Sequence, residues 1–141
     1  RFLDRKTHKE FYFWNTHFDH RSQPSREKSA LLINKRVAAL QTKLPVILVG
    51  DFNAIAQSNK AYHTLTKDGG FQDSFTTAQE KVNAGWNTFN SFQKTKQSKR
   101  RIDWVLTKGP LKVTRTEIVL FNKFKQLPSD HQPVTAWLQL E

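Results

Sequence analysis

The sequence predicts an α/β fold in which helices pack on mixed or antiparallel sheets. An aromatic strand, an amphipathic helix and a β-branched strand follow one another early in the chain, an order typical of layered α/β packing. Strand-like segments dominate from Thr88 onward, which disfavours a purely parallel sheet. The chain has 141 residues, the usual size of one domain, and we expect residues 1–141 to form a single domain.

The first strand is predicted in "KEFYFWNTHFDH", residues 9–20. Aromatic residues favour strands, and the aromatic residues 11–14 alternate between the two faces. Phe2 and Leu3 read as the end of an earlier strand, joined to this one by the polar segment 4–9. We therefore expect a hairpin whose first arm is cut short.

A helix is predicted over residues 24–43, "PSREKSALLINKRVAALQTK". Ser22 and Pro24 suit its start, and Pro45 follows its end. Its apolar stripe has the spacing of a 3.6-residue period and consists of Ala30, Ile33, Val37 and Leu40. The next segment, "VILVG", is too short for a helix and indicates a strand that is covered on both faces.

The rest of the chain contains one more helical pattern and several strand patterns. "SNKAYHTLTKDGG" predicts a short helix that starts near Ser58 and stops at Gly69 and Gly70. "TFNSF" and "RRIDWVLT" are strand-like and flank the polar run 93–99, which we expect to form a hairpin or loop. "KVTRTEIVLF" and "PVTAWLQL" predict two further strands.

Composition narrows the classes of function. Lys and Arg outnumber Asp and Glu by 23 to 12, and the net charge of +11 favours a polyanionic partner such as nucleic acid, although a basic surface alone would give the same count. The absence of Cys excludes disulfides, thiol catalysis and zinc held by thiolates. No apolar run approaches the length of a membrane span. The chain has no Met, so we expect its natural start to lie upstream, and the compartment cannot be read from it.

Polar residues occur at four places where a predicted strand meets a loop. They are Asn15 and His17 in "NTHFDH", Asp51 and Asn53 in "GDFNA", Asp103 in "RRIDWVL", and Asp130 with His131 in "PSDHQPV".

Asp51 and Asn53 follow the most hydrophobic run of the chain. Residues two apart in an extended segment point the same way, so these two side chains would project together while Phe52 returns to the core. A carboxylate and an amide oxygen are hard donors that suit Mg²⁺ or Mn²⁺. A simple turn is the alternative, because Asp and Asn often bond their own backbone after a strand.

Asp103 lies inside an apolar strand, so it is either solvent-facing on an edge or buried with a partner. His131 would suit as that partner, since a carboxylate fixes the tautomer of a histidine and makes it more basic. The alternative for "PSD" is a side-chain–backbone turn. His17 suits a phosphate donor or a structural histidine, and no HExxH or three-histidine pattern supports zinc.

Taken together and in order, "NTHFDH", "VILVGDFNA", "RRIDWVL" and "SDHQPV" resemble the endonuclease/exonuclease/phosphatase superfamily, which has the DNase I-like fold. Within it, the chain is similar to the bacterial metal-dependent hydrolases related to nocturnin-type nucleases. "TFNSF" resembles the Thr-Phe-x-Gly-Phe segment of that branch, with Ser91 in place of the usual glycine. The resemblance covers residues 11–134 and implies a four-layer α/β/β/α sandwich of two sheets with helices outside, truncated at its N-terminus.

The resemblance also implies roles for the polar residues. Asp51 would position the attacking water and help to bind the metal, and Asn53 would hold the scissile phosphate or a metal-bound water. His131 would act as general base or as an acid that contacts the phosphate, and Asp103 would orient it. The implied cofactor is Mg²⁺ or Mn²⁺, with Asp130 as a ligand in addition to Asp51 and Asn53.

His17 would donate to a phosphate oxygen, and Asn15 would support the same loop. The implied partner is a phosphate-ester substrate, with nucleic acid among the candidates, and we expect a monomer. The family's N-terminal half contributes an Asn and a metal-binding Glu, and neither motif occurs before residue 11. We therefore expect the chain to be the C-terminal part of a catalytic domain, with little or no activity alone.

A non-catalytic module that binds nucleic acid or phospholipid is the alternative function. The run "KTKQSKRR" would serve it through Lys94, Lys96, Lys99, Arg100 and Arg101. Trp86, Phe89 and Phe92 would offer stacking surfaces for a base, although we expect them to pack in the core.

Overall fold

The structure is a computed structural model that describes residues 1–121 and 127–141. Its elements are β1 (Phe2–Leu3), β2 (Glu10–His17), α1 (Gln23–Ala39), β3 (Val46–Asp51), α2 (Lys60–His63), a π-helical turn (Thr64–Asp68), β4 (Gln72–Asp73), α3 (Ser74–Thr77), β5 (Glu80–Val82), β6 (Asp103–Lys108), β7 (Leu111–Ile118) and β8 (Val134–Leu140).

The strands form two mixed sheets, as predicted. The larger sheet has the order β1-β2-β3-β6-β4, in which β2 and β3 are parallel and the other neighbours are antiparallel. The smaller sheet has the order β5-β7-β8, with β5 parallel and β8 antiparallel to β7. The expected hairpin of β1 and β2 is confirmed by the pairing of Phe2 with Phe11.

The register of the larger sheet brings distant parts of the chain to one end of three neighbouring strands. His17 in β2 lies beside Asp51 in β3, and Asp51 lies beside Asp103 in β6. The C-terminal ends of β2 and β3 and the N-terminal end of β6 therefore lie side by side at one end of the sheet.

Helix α1 and the following helical segments cover one face of the larger sheet. Ser22 caps α1 by accepting a hydrogen bond from the backbone N–H of Ser25, which confirms the predicted start. Ala30, Ile33 and Val37 of the predicted stripe are buried in the main core. This core packs the helices against one side of the larger sheet. The packing holds the ends of the strands in place.

Phe52 is fully buried and stacks on Trp104, with ring centroids 4.1 Å apart. The prediction that Phe52 returns to the core is confirmed. Because Phe52 sits between Asp51 and Asn53, this packing anchors the turn at the end of β3.

The prediction of a strand in "TFNSF" is wrong. Phe89 forms one isolated bridge with His131, and the surrounding segment is a loop. The Oδ1 atom of Asn87 accepts hydrogen bonds from the backbone N–H groups of Ser98 and Arg100, so a side chain replaces a strand ladder. Phe89 and Phe92 are 43% and 65% exposed, which also contradicts their assignment to the core.

Within residues 1–121 and 127–141, no helix has the length and apolar character needed to cross a membrane.

Candidate active site

Asp51 is the centre of the candidate site at the end of β3. Its Oδ1 accepts a hydrogen bond from the backbone N–H of Asn53 at 2.8 Å, and its Oδ2 accepts one from Asn53 Nδ2 at 3.2 Å. The same Oδ2 lies 3.3 Å from His17 Nε2 and 3.8 Å from His131 Nε2. One carboxylate thus touches or faces residues from three separate parts of the chain.

The interpretation of "GDFNA" as a turn is confirmed. Asn53 has a φ of 47°, in the left-handed region that Asn tolerates, and the bond from its N–H to Asp51 closes an Asx turn. The Nδ2 group of Asn53 also donates to the carbonyl oxygen of Phe18 at 2.9 Å. The turn, and not the extended segment that the spacing argument assumed, therefore holds the two side chains together.

Asp103 and His131 form the expected hydrogen-bonded pair. The Nδ1 atom of His131 lies 2.9 Å from Oδ2 and 3.1 Å from Oδ1 of Asp103. The predicted turn is present as well, since the N–H of His131 donates to Ser129 Oγ at 3.1 Å. The ring of Phe89 packs against the imidazole, with centroids 5.1 Å apart.

The environment shifts the pKa of both partners. Burial lowers the pKa of His131, but the hydrogen bond and charge of Asp103 raise it, helped by the charges of Asp51 and Asp130, and the net pKa is above the ordinary value of 6.5. Burial raises the pKa of Asp103, while hydrogen bonds with Thr88 and His131 act against that rise. Histidines poised in this way are typical of general acid–base catalysis.

The other predicted site residues lie at the rim. The side chain of His17 is 74% exposed and reaches Asp51 from β2. Asn15 is exposed and lines the same cavity as Asp51. Asp130 acts on His131 through its charge, but its carboxylate is not part of the tight cluster described below, so its role as a metal ligand stays a prediction.

Ligand atoms of Asp51, Asp103 and His131 lie within 4.8 Å of one another. Both oxygens of Asp103 lie close to His131 Nδ1, so Asp51 is the carboxylate of this cluster that does not belong to the Asp103–His131 pair. Mg²⁺ is commonly bound by one or two carboxylates with water and substrate phosphate completing its shell. This donor set therefore fits Mg²⁺ or Mn²⁺ as part of a coordination sphere.

Two supporting residues escaped the sequence analysis. The buried Thr88 accepts hydrogen bonds at Oγ1 from the backbone N–H groups of Ile102, at 3.0 Å, and Asp103, at 3.2 Å, and so fixes the start of β6. Gly50 lies so close to Thr16 that a Cβ atom would stand 1.8 Å from its carbonyl oxygen. In the sequence, Thr88 is marked only by "TFNSF" and Gly50 only by "GDFNA". Neither motif reveals the contact that the residue makes.

Arg101 does not belong to the exposed basic run. It is 6% exposed and forms a buried ion pair with Asp73, which also accepts a hydrogen bond from Tyr62 Oη at 3.0 Å. Its guanidinium lies over the ring of Phe75, 4.6 Å from the centroid. The prediction that Arg101 belongs to a basic binding surface is wrong, because its charge pairs with Asp73 inside the protein.

Known proteins resemble this chain in sequence and in fold. The sequence model described as the Endonuclease/Exonuclease/phosphatase family matches residues 2–131. No curated protein sequence matches the chain.

Solved structures extend the comparison. A mannosyl-6-phosphatase from Bacteroides thetaiotaomicron is 28% identical, with a TM-score of 0.87 over 98% of this chain and 54% of the other. An endonuclease/exonuclease/phosphatase protein from Bacteroides vulgatus is 30% identical, with a TM-score of 0.84 over 99% and 53%. The human nocturnin catalytic domain, 15% identical, shares the fold with a TM-score of 0.71 over 99% and 50%. The chain spans about half the length of these structures, and its two mixed sheets with helices have the DNase I-like fold.

Proposed function

We propose that this chain, which belongs to the endonuclease/exonuclease/phosphatase family, forms the C-terminal part of a catalytic domain that hydrolyses phosphate esters with a divalent cation. One observation carries the proposal. The carboxylate of Asp51 accepts a hydrogen bond from Asn53 and faces His17 and His131. Asp103 is hydrogen-bonded to the opposite nitrogen of His131, Nδ1. Family membership makes hydrolysis the expected chemistry, and this geometry suits it.

His131 transfers the proton in the proposed hydrolysis. With Asp103 ionised, His131 Nδ1 carries a proton and its N–H donates a hydrogen bond to that carboxylate, so Nε2 presents its lone pair toward Asp51. Nε2 can accept a proton from a water or return one to the leaving oxygen. Proton transfer of this kind typically contributes about 10²–10⁴-fold to the rate.

Asp51 and Asn53 position the reacting groups. Asp51 orients the attacking water, and the side-chain oxygen of Asn53, whose Nδ2 group donates to Asp51 and Phe18, holds a water beside it. A bound Mg²⁺ or Mn²⁺ would supply charge neutralisation for the phosphoryl oxygens. His17 lies at the exposed rim, where it donates to a phosphate oxygen.

The inner faces of the two sheets support the proposal of a partial domain. Phe13, Ile47, Val134, Ala136 and Leu138 line a cavity of about 560 Å³ between the sheets, next to Asp51. Phe13 is 45% exposed, which is unusual for an aromatic residue on an inner sheet face. We propose that the remaining part of a complete domain covers this face and adds metal ligands, and that the isolated chain hydrolyses its substrate weakly or not at all.

A substrate panel on the longest natural polypeptide that carries this sequence tests the proposal. The panel contains a sugar phosphate, p-nitrophenyl phosphate, a dinucleotide and single-stranded RNA, each with Mg²⁺, Mn²⁺ or EDTA. We expect metal-dependent hydrolysis of at least one ester, and a loss of about 10²–10⁴-fold in His131→Ala. His8→Ala, an exposed histidine before the opposite end of β2, is the matched control and should keep full activity.

A basic module without catalysis is the second candidate, favoured by the exposed Lys94, Lys96, Lys99 and Arg100. The same substitution separates the two. In an enzyme, His131→Ala removes hydrolysis and leaves polyanion binding nearly intact. Binding of RNA with no hydrolysis of any ester in the panel would support the module instead.

A further inference from the structure

We propose that a second cavity beside the Asp51–His131 site binds a second anionic group, carried by the alcohol part of the phosphate ester. This inference rests on the proposed function and narrows its substrate class to small esters with two anionic groups. The cavity, called here the side cavity, lies between α1, the turn after β3 and the loop 87–100, and has a volume of about 600 Å³. That volume suits a small molecule.

The side cavity adjoins the candidate active site. Asn53 and Phe89 line it, and the same two residues contact the catalytic groups. Asn53 Nδ2 donates to Asp51, and the ring of Phe89 packs on His131. A substrate whose phosphate lies between Asp51 and His131 can therefore extend past Asn53 and Phe89 into the side cavity.

The lining of the side cavity is strongly cationic. Arg26, Lys94, Lys96 and Arg100 contribute four positive charges, and none of the described residues that line it is acidic. In the part of the chain that the structure describes, none of the four forms an ion pair with a carboxylate. A concave surface lined by charges of one sign concentrates ligands of the opposite sign.

Asn90 lies in the wall of the side cavity and has a buried carboxamide without a partner in the described part of the chain. Its residue is 8% exposed and lines the cavity, yet neither its Nδ2 nor its Oδ1 has a hydrogen-bond partner among the described residues. Its backbone is held on both sides, by the carbonyl oxygen of Asp130 at 2.8 Å and the N–H of Gln93 at 3.0 Å. A buried amide without partners destabilises the fold, and a hydrogen bond to a ligand would remove that cost.

One wall of the side cavity is preorganised. Arg26 donates to Gln23 Oε1 at 2.8 Å and to the carbonyl oxygen of Asp19 at 2.8 Å, so neutral acceptors orient its guanidinium. Gln23 also accepts a hydrogen bond from Asn59 Nδ2 at 2.9 Å. An oriented guanidinium binds phosphate or carboxylate with two parallel hydrogen bonds.

Calorimetric titrations of the protein in Mg²⁺ test the inference with three ligands. Glucose 6-phosphate carries one anionic group, glucose 1,6-bisphosphate adds a phosphate, and 6-phosphogluconate adds a carboxylate. We expect the better of the two doubly charged ligands to bind about tenfold more tightly than glucose 6-phosphate, the effect of one charge-assisted hydrogen bond. The order of the last two identifies the second group as phosphate or carboxylate.

Two variants locate the preference. Asn90→Leu should abolish it while leaving the melting temperature unchanged or higher, because an unpaired buried amide is replaced by an apolar side chain of similar shape. Arg26→Gln should reduce it, whereas Arg36→Gln removes the same charge from an exposed position on α1 and should not. Arg26→Gln decides the matter if Asn90→Leu fails to fold.

Equal affinity for all three ligands would overturn the inference and leave the proposed function standing. A preference that survives in both Asn90→Leu and Arg26→Gln, or that Arg36→Gln reduces equally, would overturn it too. If none of the three ligands binds in Mg²⁺, the inference fails, and hydrolysis in the substrate panel decides the proposed function separately.

Discussion

Replacing Gly50 by alanine is expected to disrupt the pairing of β2 with β3 next to the candidate active site. Gly50 precedes Asp51 in β3 and pairs with Thr16 in the neighbouring strand β2. A Cβ atom at Gly50 would lie 1.8 Å from the carbonyl oxygen and 2.8 Å from the carbonyl carbon of Thr16. Both atoms belong to the backbone, so no side-chain rotation relieves the overlap.

The size of the effect follows from this overlap. Contacts of a Cβ atom below 3.0 Å essentially never occur, so β2 and β3 must separate by about 1 Å. The φ of 149° at Gly50 adds backbone strain of about 1–3 kcal/mol for any other residue, and each lost ladder bond adds about 1 kcal/mol. We expect the free energy of unfolding to fall by about 3 kcal/mol or more.

Urea denaturation monitored by tryptophan fluorescence measures this change. Gly85→Ala is the matched control, because a Cβ atom there would meet nothing within 4 Å, and its stability should stay within about 1 kcal/mol of the wild type. A Gly50→Ala variant that is as stable as Gly85→Ala would refute the reasoning that close backbone approach positions Asp51 beside His17.

The remaining predictions concern charge and local backbone. In Asp103→Asn, loss of the carboxylate should lower the pKa of His131, and the rising limb of the pH–rate profile should move to lower pH; NMR titration of the imidazole checks this, and an unmoved pKa contradicts it. Because the pKa of His131 is raised in the folded state, its contribution to stability should be complete below pH 6.5 and lost as the pH rises through the folded-state pKa, which stability measured across pH will show. Arg101→Met leaves Asp73 buried without its cation and should cost about 3–5 kcal/mol in thermal or urea unfolding, while a neutral result would mean that water reaches Asp73. Ser91→Gly should raise the free energy of unfolding by up to about 1 kcal/mol, because Ser91 has a φ of 53°; a destabilised variant would show that its side chain matters more than the strain.

Local patterns predicted the parts of the fold that depend on sequence neighbours. The period of α1 and the β-branched run of β3 are visible because each element buries one face or both against a core. The sequence also predicts the pairing of Asp103 with His131. A carboxylate inside an apolar strand needs a partner, and the segment "PSDHQPV" offers His131.

Features that depend on tertiary contacts were missed. The strand expected in "TFNSF" is a loop because the side chain of Asn87 bonds the backbone that a partner strand would have used. Arg101 looked like one of several surface charges, since its partner Asp73 is distant in sequence. The burial of Asn90 likewise depends on Asp130 and the loop around it, which no local pattern encodes.

Titration of the isotopically labelled chain with Mn²⁺ tests the central claim most directly, because the paramagnetic ion broadens NMR signals only of nearby nuclei. We expect the amide signals of Asp51, Asn53 and His131 to broaden first, EDTA to restore them, and Asp51→Asn to abolish the effect. Broadening that begins instead near exposed acidic side chains such as Glu80 would contradict a cation site at the end of β3.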